Sequence, residues 1–96
     1  MHCPDFDRLT GLLTRENFHR KAEFIVRSET TGLALIWFNL DNFKMFNNRF
    51  GFEHGDNLLK EIAVILGSIF SPDKFKFNLI ARFSDDNFVI LTDWTA

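Results

Sequence analysis

Two polar segments of this 96-residue chain contain residue types that could bind a charged ligand. Residues 39–44 (NLDNFK) lead into a predicted helical turn, and the free backbone N–H groups at a helix start suit an anion. Residues 84–87 (SDDN) are turn-forming polar residues between two apolar segments. His2, His19 and His54 are too dispersed to make a metal-ligand set. No Ser-His-Asp or Cys-His arrangement can be argued, so the sequence gives no sign of a nucleophilic triad.

A helix and a strand precede the first polar segment. Thr14 offers a hydroxyl N-cap for a helix over residues 15–28, which residues 30–32 (TTG) end. Residues 33–38 (LALIWF) form a continuous apolar run bounded by polar residues. Such a run is typical of a strand buried on both faces, so we expect it to be central in its sheet.

Helices and a hairpin follow. The pattern predicts a short helix over residues 42–48, a loop over 51–55, and a long apolar-striped helix over 57–70 capped by Asp56. The last segment predicts a β-hairpin, with strands over 77–83 and 88–92 around the turn at 84–87. A strand and a hairpin sharing one sheet with helices packed on it predict an α+β sandwich of ferredoxin-like or polymerase-palm type.

The composition excludes several functional classes. With Lys+Arg 11, Asp+Glu 13 and a net charge of -2, the chain lacks the cation surplus of a sequence-blind nucleic-acid binder. No apolar run approaches the roughly 20 residues that cross a bilayer, and the start of the chain has no secretory-signal pattern. A single cysteine favours a reducing compartment, which predicts a cytoplasmic domain.

Four motifs resemble those of GGDEF domains, the diguanylate cyclase family, in the family's order and spacing. They are residues 7–15 (DRLTGLLTR, family D-x-L-T-G-L-x-N-R), 39–44 (D-[IL]-D-x-F-K), 47–56 (N-D-x-x-G-H-x-x-G-D) and 82–88 (R-x-G-G-[DE]-E-F). The resemblance implies a nucleotide cyclase-like palm fold. It also implies an activity that joins two GTP molecules into cyclic di-GMP with divalent cations, usually Mg²⁺ or Mn²⁺.

The resemblance covers residues 1–96 as one partial GGDEF domain with an incomplete sheet. Within it, residues 7–15 are the opening motif, 33–56 the central strand and guanine-binding region, and 77–92 the signature hairpin. The family domain is longer, so a further helix, strand and helix are expected after Ala96. The family also implies a fused EAL phosphodiesterase or sensor domain, in a protein that is cytoplasmic or anchored to the membrane elsewhere.

The resemblance assigns the metal to Asn39, Leu40 and Asp86. Asn39 replaces a family aspartate, and an amide brings no negative charge to a site that must hold Mg²⁺. One strong carboxylate where the family has two predicts weak metal binding at best.

The signature itself is degenerate. It reads Ser84, Asp85, Asp86, Asn87, Phe88, with Ser84 and Asp85 in place of two glycines and Asn87 in place of an acidic residue. Asp85 would repel a triphosphate if it faced one. The alternative interpretation is a plain polar hairpin turn.

The positions that bind the nucleotide in the family are better retained here than the metal and signature positions. The family's two base-binding positions match Asn47 and Asp56, and a carboxylate can accept from both N1–H and the exocyclic amine of guanine, a pair that adenine lacks. The alternative for Asp56 is a helix cap, and the alternative for Asn47 is an ordinary residue at the end of a helix. The family's phosphate-binding segment matches Asn42, Phe43 and Lys44, although Lys44 could equally be a solvated surface residue.

These substitutions predict a degenerate domain that does not make cyclic di-GMP and that serves as a GTP-binding, regulatory or dimerisation module. The first alternative is an active cyclase, because the fold and half of the site persist. The second is a single-stranded RNA platform with Phe83 and Phe88 as stacking aromatics, which the charge balance disfavours. We also expect self-association through the strand over residues 33–38, as a homodimer or by strand-edge pairing.

Overall fold

The computed structural model describes residues 4–28 and 32–94. In chain order the elements are α1 (Arg15–Ser28), β1 (Leu33–Asn39), α2 (Phe43–Phe50), α3 (Phe52–Ile69), β2 (Asn78–Ser84) and β3 (Asn87–Asp93). The order confirms the predicted sequence of helix, strand, helices and hairpin. Helix α1 has the predicted bounds, and of the segment over 30–32 that was predicted to end it, residues 30 and 31 lie outside the described residues.

The strands form one three-stranded antiparallel sheet in the order β1-β3-β2. The hairpin strand β3 is therefore central, and Phe88 at its start lies opposite Phe38 of β1 and Arg82 of β2. Helices cover both faces of the sheet. This arrangement confirms the predicted α+β sandwich of the cyclase palm type.

Side chains that alternate along the strands build a separate apolar core on each face of the sheet. The α2–α3 face consists of Phe43, Leu59, Leu66, Ile80, Phe88 and Ile90. The α1 face consists of Phe18, Ile25, Ala81, Val89 and Leu91. Because both clusters centre on β2 and β3, the signature hairpin is the best-buried part of the sheet.

The prediction that β1 is buried on both faces was wrong. In the described residues β1 pairs only with β3, so it is an edge strand. Leu35 is 64% exposed and Trp37 is 70% exposed, because α1 packs over β2 and leaves this part of the α1 face uncovered. A continuous apolar run therefore does not distinguish a central strand from an edge strand whose face is uncovered.

The predicted loop over residues 51–55 and the capping role of Asp56 were also wrong. Helix α3 begins at Phe52, and Gly51 alone separates it from α2. Gly51 has φ 92, a conformation that glycine adopts without steric cost, and this allows the abrupt change of direction. Asp56 is consequently the fifth residue of α3, too far into the helix to act as its N-cap.

The segment before α1 pairs with β2 at Leu13. The backbone N–H of Leu13 donates to the carbonyl of Ile80 at 3.0 Å, and the N–H of Arg82 donates to the carbonyl of Leu13 at 3.0 Å. Thr14 then caps α1 as predicted, with its hydroxyl accepting from the N–H of Asn17 at 3.4 Å. The opening motif is thereby attached directly to the strand that leads into the signature.

None of the helices formed by the described residues combines the length and apolarity that crossing a bilayer requires.

Candidate functional site

A cavity of about 510 Å³ lies between α2, α3 and the signature turn. Its lining includes Phe43, Lys44, Asn47, Asp56, Arg82, Asp85 and Asp86. The fold thus gathers into one cavity most of the residues that the sequence predicted for base and phosphate binding. Asn42 instead lines a shallower depression on the outer side of α2.

Asn47 is fixed at the cavity wall by the close approach of α2 to α3. Gly55 is buried in α3, and a Cβ at this position would overlap Asn47 Oδ1. That oxygen is itself buried and accepts no hydrogen bond from the described residues. A buried polar atom without a hydrogen-bond partner costs about 1–3 kcal/mol, so the close approach of the two helices at Gly55 lowers stability at this point.

Asp56 and Lys44 present opposite charges to the same cavity. Asp56 is exposed on the second turn of α3. Lys44, the second residue of α2, is also exposed and forms no ion pair within the part of the chain that the structure describes. A carboxylate at one wall and a free ammonium at another suit a ligand with hydrogen-bond donors at one end and an anion at the other.

A pair of amides joins the end of β1 to the signature turn, at two positions where the family motifs have carboxylates. Asn39 Nδ2, at the end of β1, donates to Asn87 Oδ1 at 2.7 Å. The Asn87 amide in turn donates to Ser84 Oγ and, at 3.4 Å, to Asp86 Oδ1. These contacts close a polar network across the β1–β3 edge without any ligand.

This donor set does not fit Mg²⁺ or Mn²⁺. Leu40 lies beside the turn, where its backbone N–H donates to the Asp86 carbonyl at 3.0 Å, so the three predicted metal residues are neighbours. Asp86 nevertheless supplies the only carboxylate among them, and the Asn39 amide is engaged with Asn87. Over residues 4–28 and 32–94, no group of three His, Cys, Asp or Glu side chains is placed to hold a metal ion.

An ion pair that sequence reasoning missed joins the opening motif to the signature strand. Arg82 Nη1 lies 3.2 Å from Asp7 Oδ2, and Arg82 Nη2 donates to the Asp85 carbonyl at 3.0 Å. Asp7 also accepts from the backbone N–H and hydroxyl of Thr10, at 2.9 and 2.7 Å. Burial raises the pKa of Asp7, but the hydrogen bonds from Thr10 and the charge of Arg82 outweigh it, so the pKa lies below its ordinary value. The only signal in the sequence was one charged residue in each of two distant motifs.

Of the two aromatic residues proposed for an RNA platform, Phe88 is buried and Phe83 is partly buried. Phe88 is completely buried and stacks on Phe38, with ring centroids 5.3 Å apart. Phe83 lies on the opposite face of the sheet, edge-on to Phe18 at 5.3 Å and covered by the Arg15 guanidinium. The RNA-binding interpretation was therefore wrong about Phe88, whose ring lies inside the core.

Comparison with known proteins agrees with the motifs. A sequence profile described as "Diguanylate cyclase, GGDEF domain" matches residues 5–96. The chain is 34% identical over 95 residues to the cyclic di-GMP phosphodiesterase NbdA of Pseudomonas aeruginosa, covering 94% of this chain and 11% of that protein. It is also 34% identical over 90 residues to the diguanylate cyclase DgcS of Shewanella oneidensis, covering 90% of this chain and 29% of that protein.

A solved structure supports the same fold. A sensory box/GGDEF family protein from Caulobacter crescentus aligns with a TM-score of 0.79 and 32% sequence identity, covering 97% of this chain and 60% of that chain. The chain thus spans only a small part of the length of the curated relatives it matches. These relatives include both a phosphodiesterase and a cyclase by name, so similarity alone does not assign an activity.

Proposed function

Because this chain belongs to the GGDEF family of diguanylate cyclases, we propose that it is a guanine-nucleotide-binding regulatory domain that does not synthesise cyclic di-GMP. GGDEF domains are components of cyclic di-GMP signalling proteins, and the family profile matches residues 5–96. The observation that carries the proposal is a cavity that retains its base-binding residues beside a predicted metal corner in which Asp86 is the one carboxylate and Asn39 is engaged with Asn87.

The loss of catalysis follows from the Asn39–Asn87 pair. Cyclisation requires a ribose hydroxyl to attack an α-phosphate, and the developing charge must be neutralised. Here the 2.7 Å amide contact replaces two anionic positions with a neutral hydrogen bond. Asp85 adds a carboxylate at the cavity mouth, with its side chain 97% exposed. The turn is therefore stable as a hairpin but has the wrong charges for the reaction.

Guanine recognition is supported by Asp56 and Asn47. Asp56 does not cap α3, so its carboxylate is available at the cavity wall. It can accept from N1–H and the exocyclic amine of guanine, whereas adenine offers no matching pair of donors. Asn47 lines the same cavity, and its Oδ1 accepts no hydrogen bond from the described residues.

Competitive titration tests the proposal. We expect GTP and GMP to bind in the millimolar to high micromolar range, about -4 to -6 kcal/mol, and to bind more tightly than ATP and AMP. The variant Asp56→Asn should remove the preference for guanine, whereas Asp73→Asn, the same change in the exposed segment after α3, should keep it. Equal binding of guanine and adenine nucleotides in calorimetry would refute guanine recognition.

An active diguanylate cyclase is the second candidate, favoured by Asp86 and by the retained cavity. Mass spectrometry of the chain incubated with GTP and Mg²⁺ or Mn²⁺ decides between the two. We expect no cyclic di-GMP, and Asn39→Asp alone should not restore it because Asp85 and Asn87 remain. Product that disappears in Asp86→Ala would establish the cyclase instead.

The proposal extends to partners and location. A regulatory domain needs an effector, and we propose an EAL phosphodiesterase or a sensor domain in the same polypeptide, on the cytoplasmic side of the membrane. The resemblance and the name of the relative NbdA, a cyclic di-GMP phosphodiesterase, support this arrangement. We also propose self-association through β1, which exposes an unpaired edge in the described residues.

A further inference from the structure

We infer that the cavity binds guanosine monophosphate without a divalent cation, and binds it more tightly than the triphosphate. This inference rests on the proposed guanine-binding function and specifies its ligand. It reverses the usual expectation for nucleotide sites that clamp a triphosphate through metal ions.

The first step of the inference is the closed amide network at the signature turn. Asn39, Asn87 and Ser84 hydrogen-bond to one another, so Asp86 is the one anionic side chain in this network between β1 and β3. A cation bound at this corner would break these hydrogen bonds. It would gain little binding free energy in exchange, because only Asp86 carries a negative charge there. Metal binding is therefore not coupled to ligand binding.

The second step is the charge balance around the phosphates. The cavity lining contains the carboxylates of Asp56, Asp85 and Asp86. Its cations are Lys44 and Arg82, but both terminal nitrogens of Arg82 are engaged, with Asp7 and with the Asp85 carbonyl. Arg82 is also well buried, with its side chain 13% exposed.

Lys44 is consequently the one mobile cation of this lining that is available to a phosphate. A single phosphate can pair with Lys44 while the base lies against Asn47 and Asp56. Each additional phosphate brings negative charge toward Asp85 and Asp86 without a cation to offset it. Affinity should therefore fall as the phosphate chain grows.

The experiment is a set of calorimetric titrations of the 96-residue chain with GMP, GDP and GTP, each in EDTA and in Mg²⁺. We expect GMP to bind about five- to tenfold more tightly than GTP in EDTA, with GDP between them, and GMP affinity to be unchanged by Mg²⁺. AMP serves as the control for base selectivity.

The outcomes separate the inference from the proposed function. Tightest binding by GTP with an absolute need for Mg²⁺ would overturn the inference while leaving guanine selectivity intact. Failure of every guanine nucleotide to bind more tightly than AMP would overturn the proposed function and the inference with it. Affinities that fall from GMP through GDP to GTP, with GMP bound more tightly than AMP, support both the inference and the proposed function.

A gain of function gives an independent test. Asn39→Asp combined with Asn87→Asp restores two carboxylates at the corner, and GTP binding should then become Mg²⁺-dependent and rise at least about fivefold in Mg²⁺. Asn57→Asp, at an exposed asparagine of α3 outside the cavity lining, adds one negative charge away from the corner. It controls for charge alone and should leave the Mg²⁺ response the same as in the unmodified chain. Mg²⁺-stimulated GTP binding already present in the unmodified chain would contradict the inference.

Discussion

At the scale of single residues, amides in place of carboxylates change what the signature turn can do. A carboxylate at position 39 would repel one at position 87, and a cation between them would relieve that repulsion. An asparagine pair has no such need, because one amide donates to the other at 2.7 Å. The same backbone geometry thus changes from a cation site into a self-sufficient hydrogen-bonded turn.

Gly55 provides a residue-scale prediction about the cavity wall. Gly55→Ala should destabilise the fold by about 1–3 kcal/mol and weaken guanine-nucleotide binding, because its Cβ would displace the Asn47 amide. Gly67→Ala, in the same helix but with nothing within 4 Å of its added Cβ, should instead stabilise by about 0.5–1 kcal/mol. Chemical denaturation measures both values.

A second variant checks the reason for the Gly55 effect. Asn47→Ala in the Gly55→Ala background removes the side chain that the new Cβ would strike, so most of the lost stability should return while nucleotide binding stays weak. Equal destabilisation in the single and double variants would show that the amide is not the obstacle.

The site could be predicted from the sequence at the level of motifs but not of roles. Asn47, Asp56 and Asp86 were identified from motif positions, and the fold brings them to one cavity. The role of Asp56 was ambiguous because a helix cap and a ligand-binding carboxylate use the same residue type. The Asn39–Asn87 pair was not foreseen, since it depends on β1 and β3 pairing across 48 residues of sequence.

At the scale of secondary-structure elements, the opening motif and β2 act as one unit. Backbone hydrogen bonds connect Leu13 to β2, and the Asp7–Arg82 ion pair connects the loop before α1 to the strand that leads into the signature turn. Two backbone hydrogen bonds and one ion pair thus hold the segment preceding α1 against the signature strand.

The variant Asp7→Asn tests the contribution of the Asp7–Arg82 ion pair. The pair is partly buried, so the variant should lose about 1–3 kcal/mol of unfolding free energy near neutral pH. Asp5→Asn is the matched control, because the Asp5–Arg20 pair lies at the surface and should contribute about 0.5 kcal/mol or less. Urea denaturation of the three proteins gives the comparison.

The same pair predicts a pH dependence with a defined sign. The pKa of Asp7 is lowered from 3.8, so its contribution is fully present above pH 3.8 and is lost as the pH falls through the lower folded-state value. The stability difference between the unmodified chain and Asp7→Asn should therefore be constant at neutral pH and shrink in acid. A difference that grows in acid would contradict the assignment.

Element order was predictable because helix and strand periodicities are local, whereas element boundaries and neighbours were not. The boundary between α2 and α3 was misplaced, because Gly51 connects the two helices with a single residue instead of a loop. The position of β1 at the sheet edge depends on the tertiary pairing of β3 between β1 and β2, which leaves no local signal in residues 33–38.

At the scale of the whole molecule, the sheet is well covered at the hairpin and poorly covered at β1. Phe88 and Ile90 in the central strand are fully buried, whereas Leu35 and Trp37 in β1 are mostly exposed. In the described residues the outer side of β1 also has no partner strand. The buried core of the sheet is thus concentrated around the signature hairpin, and its exposed apolar side chains lie at the β1 edge.

This asymmetry predicts self-association of the 96-residue chain through β1. The segment from Leu33 to Phe38 contains no Pro, Lys or Glu, the residues that commonly prevent edge pairing. Two chains that align their β1 edges would pair the open backbone groups and bury Leu35 and Trp37. Trp37→Lys should therefore shift the protein to monomer, while Phe24→Lys, an equally exposed aromatic on α1, should leave the association unchanged. Size-exclusion chromatography with light scattering measures the state. A monomer at high concentration for the unmodified chain, with the backbone amides of β1 protected from hydrogen exchange, would show that another segment covers the edge.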